Sequence, residues 1–152
     1  MTRFPLSLIA LSLGLAFAAQ AQAQAALSGQ RDAIDRLAAN TGGSPVVSIQ
    51  KATGAANFVR LAPVAQTSGM KSRARASDAS RESAARQFLG AYGSLFGISD
   101  AAAELGAGRV EKDQQGRAHV THKQVYRGVP VFGAELKTHF DGADNLAVVS
   151  GT

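Results

Sequence analysis

Between Gln124 and Phe140 the chain reads QVYRGVPVFGAELKTHF, and few folds accommodate that stretch. Phe132, Ala134, Leu136, Thr138 and Phe140 alternate with Gly133, Glu135, Lys137 and His139. Side chains point to opposite faces with period two along a strand. The stretch therefore predicts a strand with one apolar and one charged face. Val125 and Tyr126 close a preceding strand. Arg127-Gly128 makes the turn between the two, because glycine takes φ > 0 without a Cβ clash. Pro130 lacks an N–H, which costs least just after a turn, at an edge or a bulge. A slip of one residue would bring Phe132, Leu136 and Phe140 into water, so the register is strongly specified.

The flanking segments extend this hairpin into a sheet. Leu105 to Lys112 is an expected strand, Asp113-Gln114-Gln115-Gly116 a turn, and Leu146 to Ser150 a last strand after the turn Asp141 to Asn145. From Ser77 or Asp78 the period changes. Ala85, Phe88, Leu89, Tyr92 and Phe96 recur at helical spacing. Asp78 and Glu82 place negative charge near the positive end of the helix dipole, and Gly93 and Gly97 end the helix. The expected fold class is α+β: a four-stranded antiparallel β-meander with this helix packed on its apolar face. A short helix from Ser28 to Asn40 precedes it. So does a small hairpin, Val46 to Gln50 and Asn57 to Leu61, which could complete the sheet.

Four regions follow: 1–25, 26–62 with the first helix and hairpin, a linker at 63–77, and the main module at 78–152. Met1 to about Ala25 has the layout of a signal peptide. Arg3 supplies the charge and Leu6 to Ala19 is apolar but shorter than the ~20 residues a transmembrane helix needs. Small residues in alternation then offer cleavage after Ala21, Ala23 or Ala25. The expected location is outside the cytoplasm, secreted or periplasmic, with no stable membrane anchor after cleavage. The linker ends in the basic run Lys71-Ser72-Arg73-Ala74-Arg75, read first as a solvated loop and second as a processing site.

The composition is globular, with 45% hydrophobic and 18% charged residues. The formal charge of +5 is concentrated in that linker and is not interleaved with stacking aromatics, so no nucleic-acid partner is expected. There is no cysteine, which excludes disulfides, zinc thiolates and thiol catalysis. His119 and His122 have a tempting spacing, but on a strand they point to opposite faces, and His139 on the neighbouring strand could face only one of them. No His-Glu-x-x-His and no Gly-x-Ser-x-Gly occurs. Asp113, Asp141 and Asp144 read as ordinary turn formers, with too few oxygens for calcium. Gly106-Ala107-Gly108 lacks the third glycine and the Lys of a phosphate loop. No catalytic, cofactor-binding or metal residue is expected, and the chain is not expected to be an enzyme. What remains is a surface: Glu135, Lys137 and His139 on the outer face of the hairpin, with Arg127 at the turn, as a candidate partner surface.

The run His119 to Leu136, HVTHKQVYRGVPVFGAEL, resembles the fungalysin/thermolysin propeptide motif. Its most specific residues here are Gln124, Tyr126, Gly128, Pro130, Phe132 and Gly133, followed by Leu136. His139-Phe140-Asp141 and the closing Val148-Val149-Ser150-Gly151 also fit. The likeness extends from about Phe88 to the end. It implies the N-terminal pro-region of a secreted thermolysin-like zinc metalloprotease, acting as folding assistant and inhibitory module. The partner is then the catalytic domain, in cis or in trans, with zinc and calcium held only there. The family's second small pro-domain and catalytic domain do not occur before Thr152, so a longer precursor is expected. The alternative is a free-standing exported protein-binding or inhibitor module.

Overall fold

The computed structural model of the protein describes residues 28–62 and 76–152. The chain divides into two compact units, 1–32 and 33–152, and of the first only 28–32, the opening of a helix, is described. The expected signal segment with Ala21, Ala23 and Ala25, and the linker from 63 to 75, lie outside the described residues.

Helix α1 covers 28–41. Ala33 and Leu37, one turn apart, are buried, and Ile34 packs beside them. Strands β1 (Val46–Ile49) and β2 (Ala56–Arg60) follow, then helix α2 (Asp78–Tyr92) and a 3₁₀ turn (Gly93–Phe96). A single-turn helix α3 (Ala101–Glu104) leads to strands β3 (Arg109–Lys112), β4 (Ala118–Tyr126), β5 (Val129–Phe140) and β6 (Leu146–Gly151). The fold is α+β, as the periodicity predicts.

The sheet has six strands in the order β1-β2-β6-β5-β4-β3, with every pairing antiparallel. The meander from β3 to β6 is the expected one. The first hairpin joins it through β2 on β6. Directly paired residues share a face. One row therefore crosses the whole sheet: Val47, Val59, Val149, Thr138, Val120 and Val110. All six are β-branched, which suits a pleated and covered surface. Val59, Val149, Thr138 and Val120 are fully buried, and each valine is worth roughly 1.5–3 kcal/mol relative to exposure. The expected strand Leu105 to Lys112 is interrupted. Leu105 makes a single bridge to Gln124, and pairing resumes only at Arg109.

Helix α2 covers the inner face through Ala85 and Leu89, with Phe88 and Tyr92 half-buried at its edge. Ser77 caps it by accepting from the Ser80 N–H at 3.1 Å. The chain leaves the 3₁₀ turn through Gly97, whose φ of 77° is left-handed, and Ile98 N–H bonds back to Gly93 O at 3.0 Å. Arg81, one turn before Ala85 and on the same face of the helix, is buried despite its charge. Its Nε donates to Asp144 Oδ1 at 2.9 Å, its Nη2 lies 2.8 Å from the same oxygen, and its Nη1 donates to Asp78 Oδ1 at 2.8 Å. This pair ties the start of α2 to the β5–β6 turn.

The β4–β5 turn holds Arg127 at φ 50° and Gly128 at φ 82°, so both central residues are left-handed. That is the two-residue turn whose twist matches a hairpin. The alternation expected along β5 fails beyond it. Lys123 pairs with Glu135 and Val125 with Pro130, so Gln124 on β4 faces the four residues Val131 to Ala134 on β5. Gly133, at φ 73°, absorbs the excess in the left-handed region. Phe132 consequently does not join Leu136 and Phe140 in the core and stands fully exposed. Gly128→Val places a β-branched residue at positive φ and is expected to cost about 1–2 kcal/mol. Gly142 has open space around its Cβ position and no positive φ, so Gly142→Ala should stay within about 0.5 kcal/mol. Equal urea midpoints for the two variants would refute this.

Candidate docking surface

The bulge turns the hairpin tip into an apolar projection. Tyr126, Val129, Val131 and Phe132 are all exposed there, within seven residues of sequence. These four are two-thirds of the large apolar side chains that the described part of the molecule exposes, the others being Val46 and Ile49 on edge strand β1. Single exposed apolar residues are ordinary, whereas a cluster of them makes the tip a candidate contact surface. An open hollow of about 310 Å³ lies against it, lined by Lys123 and residues 130–135.

The tip has a defined shape. Two left-handed residues set the turn, and the Arg127 guanidinium sits 5.3 Å from the centre of the Tyr126 ring. Pro130 pairs with Val125 at a point where its lack of an N–H is tolerated. At the base of the bulge Thr152 acts as a clasp. Its Oγ1 donates to Gly133 O at 2.8 Å and accepts from the Glu135 N–H at 3.3 Å.

Of the motif residues, Gln124 is half-buried on the bridge to Leu105, Tyr126 and Phe132 are exposed, Gly128 and Gly133 are the two left-handed positions, and Leu136 is in the core. Of the candidate partner residues, Glu135, Lys137 and His139 share the outer face of β5, and Arg127 stands apart at the turn. The sequence reading missed Val129 and Val131. The alternation itself offered the signal, because it places both on the face opposite Leu136 and Phe140.

The outer face carries a second row across the sheet: Val46, Arg60, Val148, His139, His119 and Glu111. His139 Nδ1 lies 2.9 Å from His119 Nδ1, and the ring planes meet at 71°. Behind them, His119 Nε2 is 3.2 Å from Asp113 Oδ2 and His139 Nε2 is 3.2 Å from Ser150 Oγ. Burial, then the neighbouring His119 and Lys137, hold His139 below the ordinary histidine value. Asp113 is held below the ordinary aspartate value. Desolvation works to raise it, but the Arg117 N–H, His119 and the Arg117 guanidinium outweigh that.

His122 points the other way, as strand geometry requires. It is fully buried, and neither ring nitrogen has a hydrogen-bond partner. Glu82 Oε1 approaches its Nε2 at 3.5 Å, outside hydrogen-bond geometry. Burial first, and Arg86 second, keep this imidazole below its ordinary value, against the pull of Glu82. An unfolded chain then binds the proton more readily than the folded one. The stability contributed by neutral His122 is complete above the unfolded pKa, about 6.5, and is lost as pH falls from there toward the folded pKa. Urea midpoints should therefore drop between pH 7.5 and 5. A midpoint constant over that range would rule this out.

Residues 103–152, about a third of the chain, match the family model of the Fungalysin/Thermolysin Propeptide Motif. The match runs from α3 through β6 and contains the whole projecting hairpin. The lead-in from Phe88, included in the sequence reading, lies outside it. This is a propeptide motif and not a catalytic domain. No curated protein and no solved structure gives a match. No helix among the described residues is long and apolar enough to cross a membrane.

Proposed function

We propose that this chain serves as the pro-region of a secreted thermolysin-like zinc metalloprotease, assisting the folding of the catalytic domain and restraining it before maturation. The observation that carries this is the coincidence of the propeptide motif, residues 103–152, with the hairpin tip, which among the described residues exposes four of the six exposed large apolar side chains. A folding assistant needs a surface that is itself rigid and that offers apolar area to an incompletely packed partner. The hairpin tip offers the apolar area, and its left-handed turn and the Thr152 hydrogen bonds at the base of the bulge define its shape. The row of Glu135, Lys137 and His139 supplies a polar border of mixed charge. Zinc and calcium would belong to the catalytic domain. Export through the segment before Ala25 goes with this role, and an exported chain whose intact mass still includes Met1 would contradict it.

The test adds the purified chain in trans to two reactions: refolding of a denatured thermolysin-type catalytic domain, and casein hydrolysis by the native enzyme. Recovery of activity should accelerate with chain concentration, and hydrolysis should slow only at higher concentration. A hot-spot side chain contributes about 2 kcal/mol or more to an interface. Phe132→Ser is therefore expected to raise the half-saturating concentration for refolding roughly thirtyfold. Its fold should be unaffected, since Phe132 is fully exposed. No effect of the wild-type chain on either reaction would overturn the proposal in favour of an exported module for a different protein partner.

A further inference from the structure

Two imidazoles meet edge to edge on the outer face, and each is braced from behind by an oxygen. We propose that His119 and His139 form a binding site for one divalent transition-metal cation, Cu²⁺ most tightly, held between their two Nδ1 atoms 2.9 Å apart. This goes beyond the pro-region reading and does not depend on it.

The argument begins at Asp113. A carboxylate only accepts, so His119 carries its proton on Nε2, where Asp113 Oδ2 lies at 3.2 Å. Asp113 is itself fixed by the N–H groups of Gln115 and Arg117 at 3.0 and 2.8 Å and by Arg117 Nε at 3.2 Å. In the neutral ring the Nδ1 lone pair of His119 is therefore presented toward His139. A carboxylate behind a histidine is the brace by which proteins orient a metal-binding imidazole.

His139 is braced differently. Ser150 Oγ, 3.2 Å from its Nε2, can donate or accept. With no cation, His139 Nδ1–H donates to His119 and Nε2 accepts from Ser150. With a cation, the proton sits on Nε2 and is donated to Ser150 Oγ, which frees the Nδ1 lone pair. Both rings stay neutral, and one proton has moved from Nδ1 to Nε2 of His139. The hydroxyl turns over and no contact to Asp113 or Ser150 is lost.

The spacing suits the ion. Two metal–nitrogen bonds of about 2.0–2.1 Å at a right angle put the nitrogens about 2.9 Å apart, the cis arrangement of a tetragonal ion. His119 and His139 are direct partners in the ladder of β4 and β5, so their backbone separation is set by the sheet. The His119 side chain retains 22% exposure, enough for an ion to enter from solvent. Among the described residues no third His, Cys, Asp or Glu completes a cluster, so water fills the remaining positions.

The experiment titrates the untagged chain with CuCl₂, followed by calorimetry and by electron paramagnetic resonance. The expected result is one saturable equivalent with a tetragonal spectrum showing two coupled imidazole nitrogens. His119→Gln and His139→Gln should each weaken binding at least tenfold, roughly what loss of even an outer brace costs a metal site. Circular dichroism should be unchanged, since both rings lie on the outer face. Binding in the wild type no tighter than in the double variant would overturn the proposal. So would a wild-type spectrum with a single imidazole nitrogen, a result that stands even if a variant misfolds.

Discussion

Asp144→Ala is expected to lower stability by about 3–5 kcal/mol, the usual result of leaving a buried charge without its partner. The Arg81 side chain is only 6% exposed, and two of its nitrogens lie within 2.9 Å of Asp144 Oδ1. Asp144 Oδ2 in turn accepts from the Ala76 N–H at 3.0 Å, just ahead of α2. One carboxylate thus holds both the entry of the helix and its first buried side chain. Desolvation acts to raise the Asp144 pKa, and the Ala76 N–H, Arg81 and Lys112 outweigh it and keep the group ionised. The position adds a backbone demand, because Asp144 has φ 62°, which Asp tolerates better than Ala. Asp78, the other partner of Arg81, is mostly exposed and cannot compensate. Asp141→Ala, which removes only turn hydrogen bonds, should cost less. Adding Arg81→Met to Asp144→Ala should recover part of the loss, since an apolar side chain has no charge to strand. A loss below 1 kcal/mol in urea titration of Asp144→Ala would show that water reaches Arg81 and that the clamp is not closed.

Gly108→Ala should destabilise by about 3 kcal/mol, at the upper end for overpacking. A Cβ there would lie 2.6 Å from Glu82 Cγ, 2.8 Å from His122 Nε2 and 2.9 Å from Val120 Cγ1. Glu82 could swing aside, but His122 and Val120 are fully buried and have nowhere to go. Desolvation would raise the Glu82 carboxyl, but Arg86 first, then the nearby Gly108 N–H and His122, overcome it and hold the group below its ordinary value. Displacing this backbone therefore disturbs the packing and the ion pair together. Gly106→Ala is the matched control. Its Cβ would meet only ordinary contacts, 3.5 Å from Lys123 O and 3.8 Å from Val125 Cγ2, and a change within about 0.5 kcal/mol is expected. Indistinguishable melting temperatures for the two alanine variants would mean that the Gly108 segment lifts away from α2 at little cost.

Much of the architecture was legible in local pattern. Period two along β5 and the spacing of Ala85 and Leu89 report directly on which side of an element is dry. Gly128 was legible because a two-residue hairpin turn needs positive φ at that position. Phe132 was misread for a definite reason. Alternation counts residues along one strand, whereas a bulge is a mismatch between two, visible only once Lys123 is known to pair with Glu135 and Val125 with Pro130. The residue assigned to the core is the most exposed side chain of the candidate docking surface.

The amino-acid order alone determined most of the elements, the α+β class, the hairpin turn and the motif, because each depends on neighbours a few positions apart. The charged residues had to wait for the tertiary structure. Asp144 read as one more turn former until Arg81, 63 residues earlier, was brought onto it. His119 and His139, 20 residues apart, became a pair only when β4 and β5 came into register. Electrostatic roles depend on distance in space and on exclusion of water, and neither is encoded in the spacing of two letters along a chain.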